Sequence, residues 1–236
     1  MEHISSYIPV FGSLVNGLAA FTGALLGLLI HSRLPERVTA ISFQALGLFT
    51  FIAGTSMALS SNNMLIMVFS IVAGSITGEL AGIDQKINSI SRHHPTSGNE
   101  NGSTSFHEAC VIASLLYCGG SMGILGAIEE GLGGFPNLLM AKSMLDGIAS
   151  IALASSLGPG VVLAAGIMFL FQGSITLFAD SIQDLLTQPI IDEISGVGGL
   201  MLIGIALSLL EIKRIRIMNM LPSLIIAFIL GAIFLN

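Results

Sequence analysis

Charge is what this sequence has least of. Only 9% of its 236 residues are Asp, Glu, Lys or Arg, against 53% hydrophobic, too few to cover a globule with a water-compatible surface. A soluble fold is excluded on that ground. Trp is absent and Tyr occurs twice, so the aromatic belts that often mark membrane interfaces are thin and depth has to be read from charges. The two cysteines, Cys110 and Cys118, fall in one apolar segment, which argues against a disulfide framework and offers no metal-ligand spacing; they read as small packing residues. There is no His-Glu-x-x-His, no Gly-x-Ser-x-Gly elbow, no Walker A string and no dinucleotide fingerprint. Nothing therefore points to an enzyme, a cofactor or a nucleic-acid partner.

What the chain has instead is glycine, 28 of them, and apolar runs of about twenty residues that recur along its length, the size that crosses a bilayer. Mean hydropathy is +0.90. Small residues suit membrane helices because they let backbones approach. We expect an all-α, polytopic membrane protein in one transmembrane domain, with eight spans near 9–30, 38–59, 64–83, 106–128, 137–157, 160–179, 194–212 and 219–235. The first, without a basic flank before it or a small-residue cleavage site after it, reads as an uncleaved span. Residues 84–105 form the one long polar interval, read as a mobile loop. After it, Ser105-Phe-His-Glu108 matches a capping box that opens span four. Residues 180–193 mix apolar and acidic side chains and read as a short helix in the outer interface.

Orientation follows from the cations. With eight spans, Arg33, Arg37, Lys86, Arg92, Lys213, Arg214 and Arg216 all fall on one side, which the positive-inside rule makes cytoplasmic. Both termini are then extracytoplasmic, and the other face receives Glu129, Glu130, Asp180, Asp184, Asp192 and Glu193. A seven-span count would split the basic loops between faces, and the glycine-rich span four is its weak point.

The one exception among the cations is Lys142, inside span five. Asp146 follows it by one turn, close to the centre of the segment Pro136–Gly160. An ionisable residue at that depth is by default a functional group with a partner to be found, and Lys142, at i−4, is the nearest. The Gly158-Pro159-Gly160 turn brings Gln172 of span six to a depth comparable with Asp146. Asn16 in span one and Gln44 in span two are further polar groups within spans, each suited to a ligand contact or to an interhelical hydrogen bond of about 0.6–2 kcal/mol. Ser174 belongs with Gln172 in the same list of candidate solute- or ion-binding groups. Glu79, near a cytoplasmic helix end, can reach water.

The chain also resembles itself. Gly74-Ser75-Ile76-Thr77 recurs as Gly173-Ser174-Ile175-Thr176, and Asn63-Met64-Leu65 recurs as Asn219-Met220-Leu221. Pairing spans one to three with four to six, or two and three with seven and eight, gives an odd offset and hence copies of opposite topology. Inverted repeats of this kind build many secondary transporters, with the site near the midplane. Gly23-x-x-x-Gly27 and Gly119-x-x-x-Gly123 are small-residue faces for close crossings within a protomer or between protomers, and a homodimer is expected.

Several strings together carry a family resemblance: Gly12-Ser-Leu-Val-Asn16, Leu34-Pro-Glu-Arg37, Gly126-Ala-Ile-Glu-Glu-Gly131, Lys142-Ser-Met-Leu-Asp146-Gly147, Gln172-Gly-Ser-Ile-Thr176, Gly196-Val-Gly-Gly199 and Asn219-Met-Leu-Pro222. Over nearly its whole length the chain resembles the YdfK/YqgA-type family of bacterial inner-membrane proteins. The resemblance implies an inner-membrane location and supplies no reaction, because the family has no assigned function. Asn16, Lys142, Asp146 and Gln172 coincide with its motif positions.

These residues lead to one functional expectation: ion-coupled transport of a small polar or ionic solute across the bilayer, with a midplane site around Asp146. A channel would use the same groups without alternating access. A scaffold or assembly subunit would use the Gly-rich spans only to hold helices together. A water-lined cavity reaching Asp146 favours transport, and a dry, packed Lys142–Asp146 pair favours the scaffold.

Overall fold

The structure is a computed structural model that describes residues 10–31, 35–86, 106–118 and 120–235. The polar interval 87–105, with the capping-box Ser105, and Gly119 lie outside those residues. Every regular element among the described residues is helical: α1 Phe11–His31, α2 Glu36–Ala58, α3 Met64–Ala81, α4 Phe106–Cys118, α5 Ser121–Gly131, α6 Asn137–Leu157, α7 Gly160–Ile182, α8 Gln188–Leu209, a 3-10 turn Ile217–Met220 and α9 Pro222–Phe234. Apolar sequence in hydrocarbon leaves the backbone no water to bond, so each segment closes its own hydrogen bonds as a helix. Among the described residues seven segments are long and apolar enough to cross a membrane, or eight with α4 and α5 as one bent span. The chain is a polytopic helical membrane protein.

Local chemistry sets the breaks. Asn63 caps α3, its side chain accepting from the amides of Leu65 and Ile66, as a short polar side chain does at a helix start. Gly158 takes φ 83° between α6 and α7, a left-handed backbone that suits glycine. Pro159 immediately precedes α7.

Two segments differ from the sequence reading. Span four is two helices bent by 60° between Cys118 and Ser121, and its second half runs on to Gly131. The separate interfacial helix at 180–193 is not formed: α7 continues to Ile182, and α8 begins at Gln188. Ile190 and Ile191 are wholly buried and Glu193 is 1% exposed. These side chains have partners inside the protein, so the segment joins a packed helix and does not lie in the headgroup layer.

The helices sort into two compact units. One holds α1, the start of α2, α4 from Glu108, and α5 to α7; the other holds α2 from Phe43, α3, α8, the 3-10 turn and α9. In the first, α1 turns Gly12, Ser13, Asn16, Gly17, Ala20, Gly23, Ala24 and Gly27 inward, a seam at helical spacing made only of small and polar residues. It lies along α6 for its full length. A Cβ on Gly12 would meet Pro136 and Leu139, one on Gly23 the Gly147 carbonyl, and one on Gly27 the Ile151 carbonyl and Ala154. Residue numbers rise together on both helices, so α1 and α6 run parallel. The Gly23-x-x-x-Gly27 face is thus used inside the unit.

The second unit is built on two antiparallel crossings. Gly47 packs against Leu209 and Leu210 while Gly54 and Gly199 meet reciprocally, so α2 runs against α8. Gly74 faces Ser223 and Gly78 faces Asn219, so α3 runs against α9 and the turn before it. Side chains on these faces are absent or small because backbone atoms occupy the space.

Candidate functional site

The interior of the first unit carries polar groups in tiers one helical turn apart. The middle tier begins on α6, where an i, i+4 spacing puts Lys142 and Asp146 on the buried face. Lys142 Nζ lies 3.0 Å from Asp146 Oδ1 and 2.9 Å from Oδ2. Asn16 Nδ2 donates to Asp146 Oδ2 at 3.1 Å and to Gln172 Oε1 at 3.0 Å. Three helices therefore converge: α1 brings Asn16, α6 the charged pair and α7 Gln172. Lys142 and Asp146 are each 6% exposed, and Asn16 and Gln172 are fully buried.

The tier is not fully satisfied. Asn16 Oδ1 and Gln172 Nε2 are buried without a hydrogen-bond partner, and an orphaned polar group in a low-dielectric interior costs about 1–3 kcal/mol. Both lie in the network that holds the charges. Nearby, α5 begins in mid-protein. Its cap, Gly120, has no side chain to bond the first amides, and first-turn N–H groups have no intrahelical acceptor. A Cβ on Gly123, in that first turn, would stand 3.0 Å from Gln172 Nε2 and 3.1 Å from Lys142 Cε. The unpartnered amide and the lysine stem thus approach the positive end of a half-helix.

One tier toward the start of α1, Glu130 closes the helix end. Its carboxylate accepts from the Gly12 amide, from the Ser13 amide at 3.3 Å, from Ser13 Oγ at 3.2 Å and from Thr176 Oγ1 at 3.3 Å. A carboxylate there satisfies orphan N–H groups and meets the helix dipole favourably. In the tier beyond Asp146, Ser150 Oγ donates to the Asp146 carbonyl at 2.6 Å and shares a 2.6 Å hydrogen bond with the Tyr117 hydroxyl. Among the described residues no three His, Cys, Asp or Glu side chains gather to hold a metal ion.

Of the residues singled out from the sequence, Asn16, Lys142, Asp146 and Gln172 are brought together. Ser174 is not: it is exposed on α7 and bonds the Leu170 carbonyl of its own helix at 2.6 Å. Gln44 is exposed and belongs to the second unit. Sequence reasoning left out Ser13, Tyr117, Ser150 and Thr176, and it placed Glu130 only among the acids of the outer face. Three were within reach, since Ser13, Thr176 and Ser150 stand three or four residues from Asn16, Gln172 and Asp146 on the same helix faces.

The second unit also uses carboxylates, at helix ends. Glu193 accepts from Ser61 Oγ at 2.7 Å and from the amides of Asn62 and Asn63 at 3.0 and 2.8 Å, ahead of α3. Glu79 accepts from Arg216 Nη1 at 2.7 Å and Asn219 Nδ2 at 2.6 Å, while Asn219 Oδ1 receives the Asp84 amide at 2.8 Å. Each has a structural task.

Over residues 11–232 the chain matches the family described as Protein of unknown function (DUF554), and it belongs to that family. It is 32% identical over 221 residues to the Uncharacterized membrane protein YdfK of Bacillus subtilis (strain 168), covering 92% of this chain and 93% of that one. It is 31% identical over 230 residues to the Uncharacterized protein YqgA of Escherichia coli (strain K12), covering 94% and 97%. No solved structure matches.

Proposed function

We propose, taking membership of a family without an assigned activity as the premise, that this chain is a multi-pass transporter for a small polar or ionic solute. Its site is the network around Asp146, and an ion gradient drives it. One observation carries the reading: Gln172 Nε2 is buried and unpartnered beside the start of α5, which has no side-chain cap, and Asn16 Oδ1 is buried and unpartnered in the same network. Interrupted helices that open onto polar groups at mid-membrane are how transporters hold solutes, and unmatched buried polar atoms call for a partner. The reading includes no catalytic step and no nucleic-acid partner; a channel would differ from it in lacking alternating access. In proteoliposomes, uptake should be lost in Asp146→Asn, which removes the charge and nearly preserves the shape. Intact uptake by purified, folded Asp146→Asn protein would remove Asp146 from the mechanism.

A second reading has its own observation. The Lys142–Asp146 pair is closed and buried, at 6% exposure and 2.9 Å, which is what a non-transporting scaffold or assembly subunit needs. Stability measurements on this pair, described in the Discussion, weigh that reading.

The topology is part of the proposal. Because α1 and α6 run parallel, an odd number of crossings separates them; with α2 and α3 as two, the bent α4–α5 pair counts as the third. That supports eight spans with both termini on one side of the membrane, and the distribution of the cations supports reading that side as extracytoplasmic in a bacterial inner membrane. A reporter after Asn236 should read extracytoplasmic and one near Gly98 cytoplasmic; equal readings would defeat the topology. In the second unit the antiparallel pairs α2 with α8 and α3 with α9, meeting reciprocally at Gly54 and Gly199, support an inverted repeat of spans two and three with seven and eight. We extend the proposal to a homodimer. With Gly23 and Gly27 occupied inside the unit it would use another face, and a light-scattering mass of one protomer in mild detergent would argue against it.

A further inference from the structure

Around the charged pair the unpartnered side-chain atoms are one donor and one acceptor, and the start of α5 adds backbone donors without a side-chain cap. Facing the first turn of α5 are Gln172 Nε2, without an acceptor, and the stem of Lys142; the amides of Ser121 and Met122 open that helix without a side-chain cap. Against these stands one free acceptor in the network, Asn16 Oδ1. The Asp146 carboxylate is already engaged by Lys142, which bonds both oxygens, and by Asn16. A cation entering here meets an occupied carboxylate, whereas an anion meets a positive helix end, an idle amide and an ammonium. We infer that the solute is a small anion, a carboxylate or planar oxyanion, seated between the first turn of α5, Gln172 Nε2 and Lys142 Nζ, and carried with one proton per negative charge. This rests on the transporter reading above and names its substrate class.

The proton follows from charge balance. Empty, the site holds one cation and one anion, a neutral pair that hydrocarbon tolerates. A monovalent anion alone would leave it one charge negative at mid-membrane, a costly state. A proton from water that forms an O–H bond on Asp146 returns the loaded site to neutrality: Lys142 then pairs with the solute, and Asp146, now a carboxylic acid, keeps its contact with Asn16. The titratable groups facing Asp146 are Lys142 on its own helix and Tyr117 and Cys118 on α4. From α1 and α7 the facing groups are the amides of Asn16 and Gln172, and Glu130 of α5 is bound at the start of α1.

Thermal melting of the full-length protein in lipid nanodiscs tests this, with sodium formate and sodium nitrate as probes and sodium gluconate, a much bulkier anion, as the reference at equal ionic strength. Formate and nitrate should raise Tm over gluconate, more at about pH 5.5 than at about pH 8, because the bound form carries the extra proton. Gly123→Ala should abolish the shift. Its methyl group would crowd Gln172 Nε2 at 3.0 Å and Lys142 Cε at 3.1 Å; alanine is the better helix former, and a Tm in gluconate close to the parent's checks that the variant folds. Cys118 supplies the location: in a Cys110→Ala background, formate that leaves about one site in ten free should slow maleimide labelling about tenfold, and Gly123→Ala should remove that protection. A formate shift that persists in Gly123→Ala overturns the assignment by placing the anion elsewhere. A shift with sodium over choline gluconate and none with formate overturns the anion while the transporter reading stands. No shift with any salt, together with uptake that survives Asp146→Asn, brings down both.

Discussion

The two units bury polar groups in different places. In the first, a charged pair and two partly unpartnered amides sit in the middle of the helices. In the second, Glu79 and Glu193 bond chain ends and turns, and the helix crossings between those ends are made by Gly47, Gly54, Gly74, Gly78 and Gly199. A carboxylate that bonds backbone amides at a helix end is explained by the fold. One held at mid-span by a lysine, beside an interrupted helix, is not. On the transporter reading proposed above, the difference would put solute handling in the first unit and framework in the second.

The comparison breaks first at the charged pair. Asp146→Leu alone strands Lys142 in the interior and should destabilise by about 3–5 kcal/mol, whereas Lys142→Met with Asp146→Leu should recover most of that loss. Detergent-solubilised thermal melts report both. If the double variant is fully stable and solute flux never depended on either residue, the pair is packing and the first unit is framework as well. In the second unit, Glu193→Ala deprives two amides and one hydroxyl of their acceptor. A loss of about 1–3 kcal/mol is expected, with solute flux per folded molecule unchanged; a flux defect would move function into that unit. The smallest effect belongs to Glu79 and Arg216, whose side chains are 49% and 65% exposed. Arg216→Gln should change stability by less than about 1 kcal/mol, and by still less in high salt.

Much of this was legible in the residues. Asp146 and Lys142 announce themselves because charges inside apolar runs are rare, and their i, i+4 spacing already makes them partners. Gln172 was placed by counting from the Gly158-Pro159-Gly160 turn. Asn16 was visible as a polar residue in a span, yet Gln44 and Ser174 were visible in the same way. Hydrogen-bonding capacity is a property of the side chain, and the face it occupies is a property of the bundle. Ser174 lies between two inward positions, Gln172 and Thr176, and so points out.

By itself the sequence determined the solvent, the helices and the polar groups available to them. Too few charges for water and apolar runs of bilayer length leave one class of structure, because hydrocarbon forbids unbonded backbone. Only tertiary structure decided that α1 lies parallel along α6, that α5 opens beside Gln172 and Lys142, and that Glu130 closes the start of a helix 118 residues away along the chain. Periodicity along one helix says which side chains share a face. It carries no information about which helix that face will meet, since small residues allow close approach to many partners and the choice among them is made by packing across the whole unit.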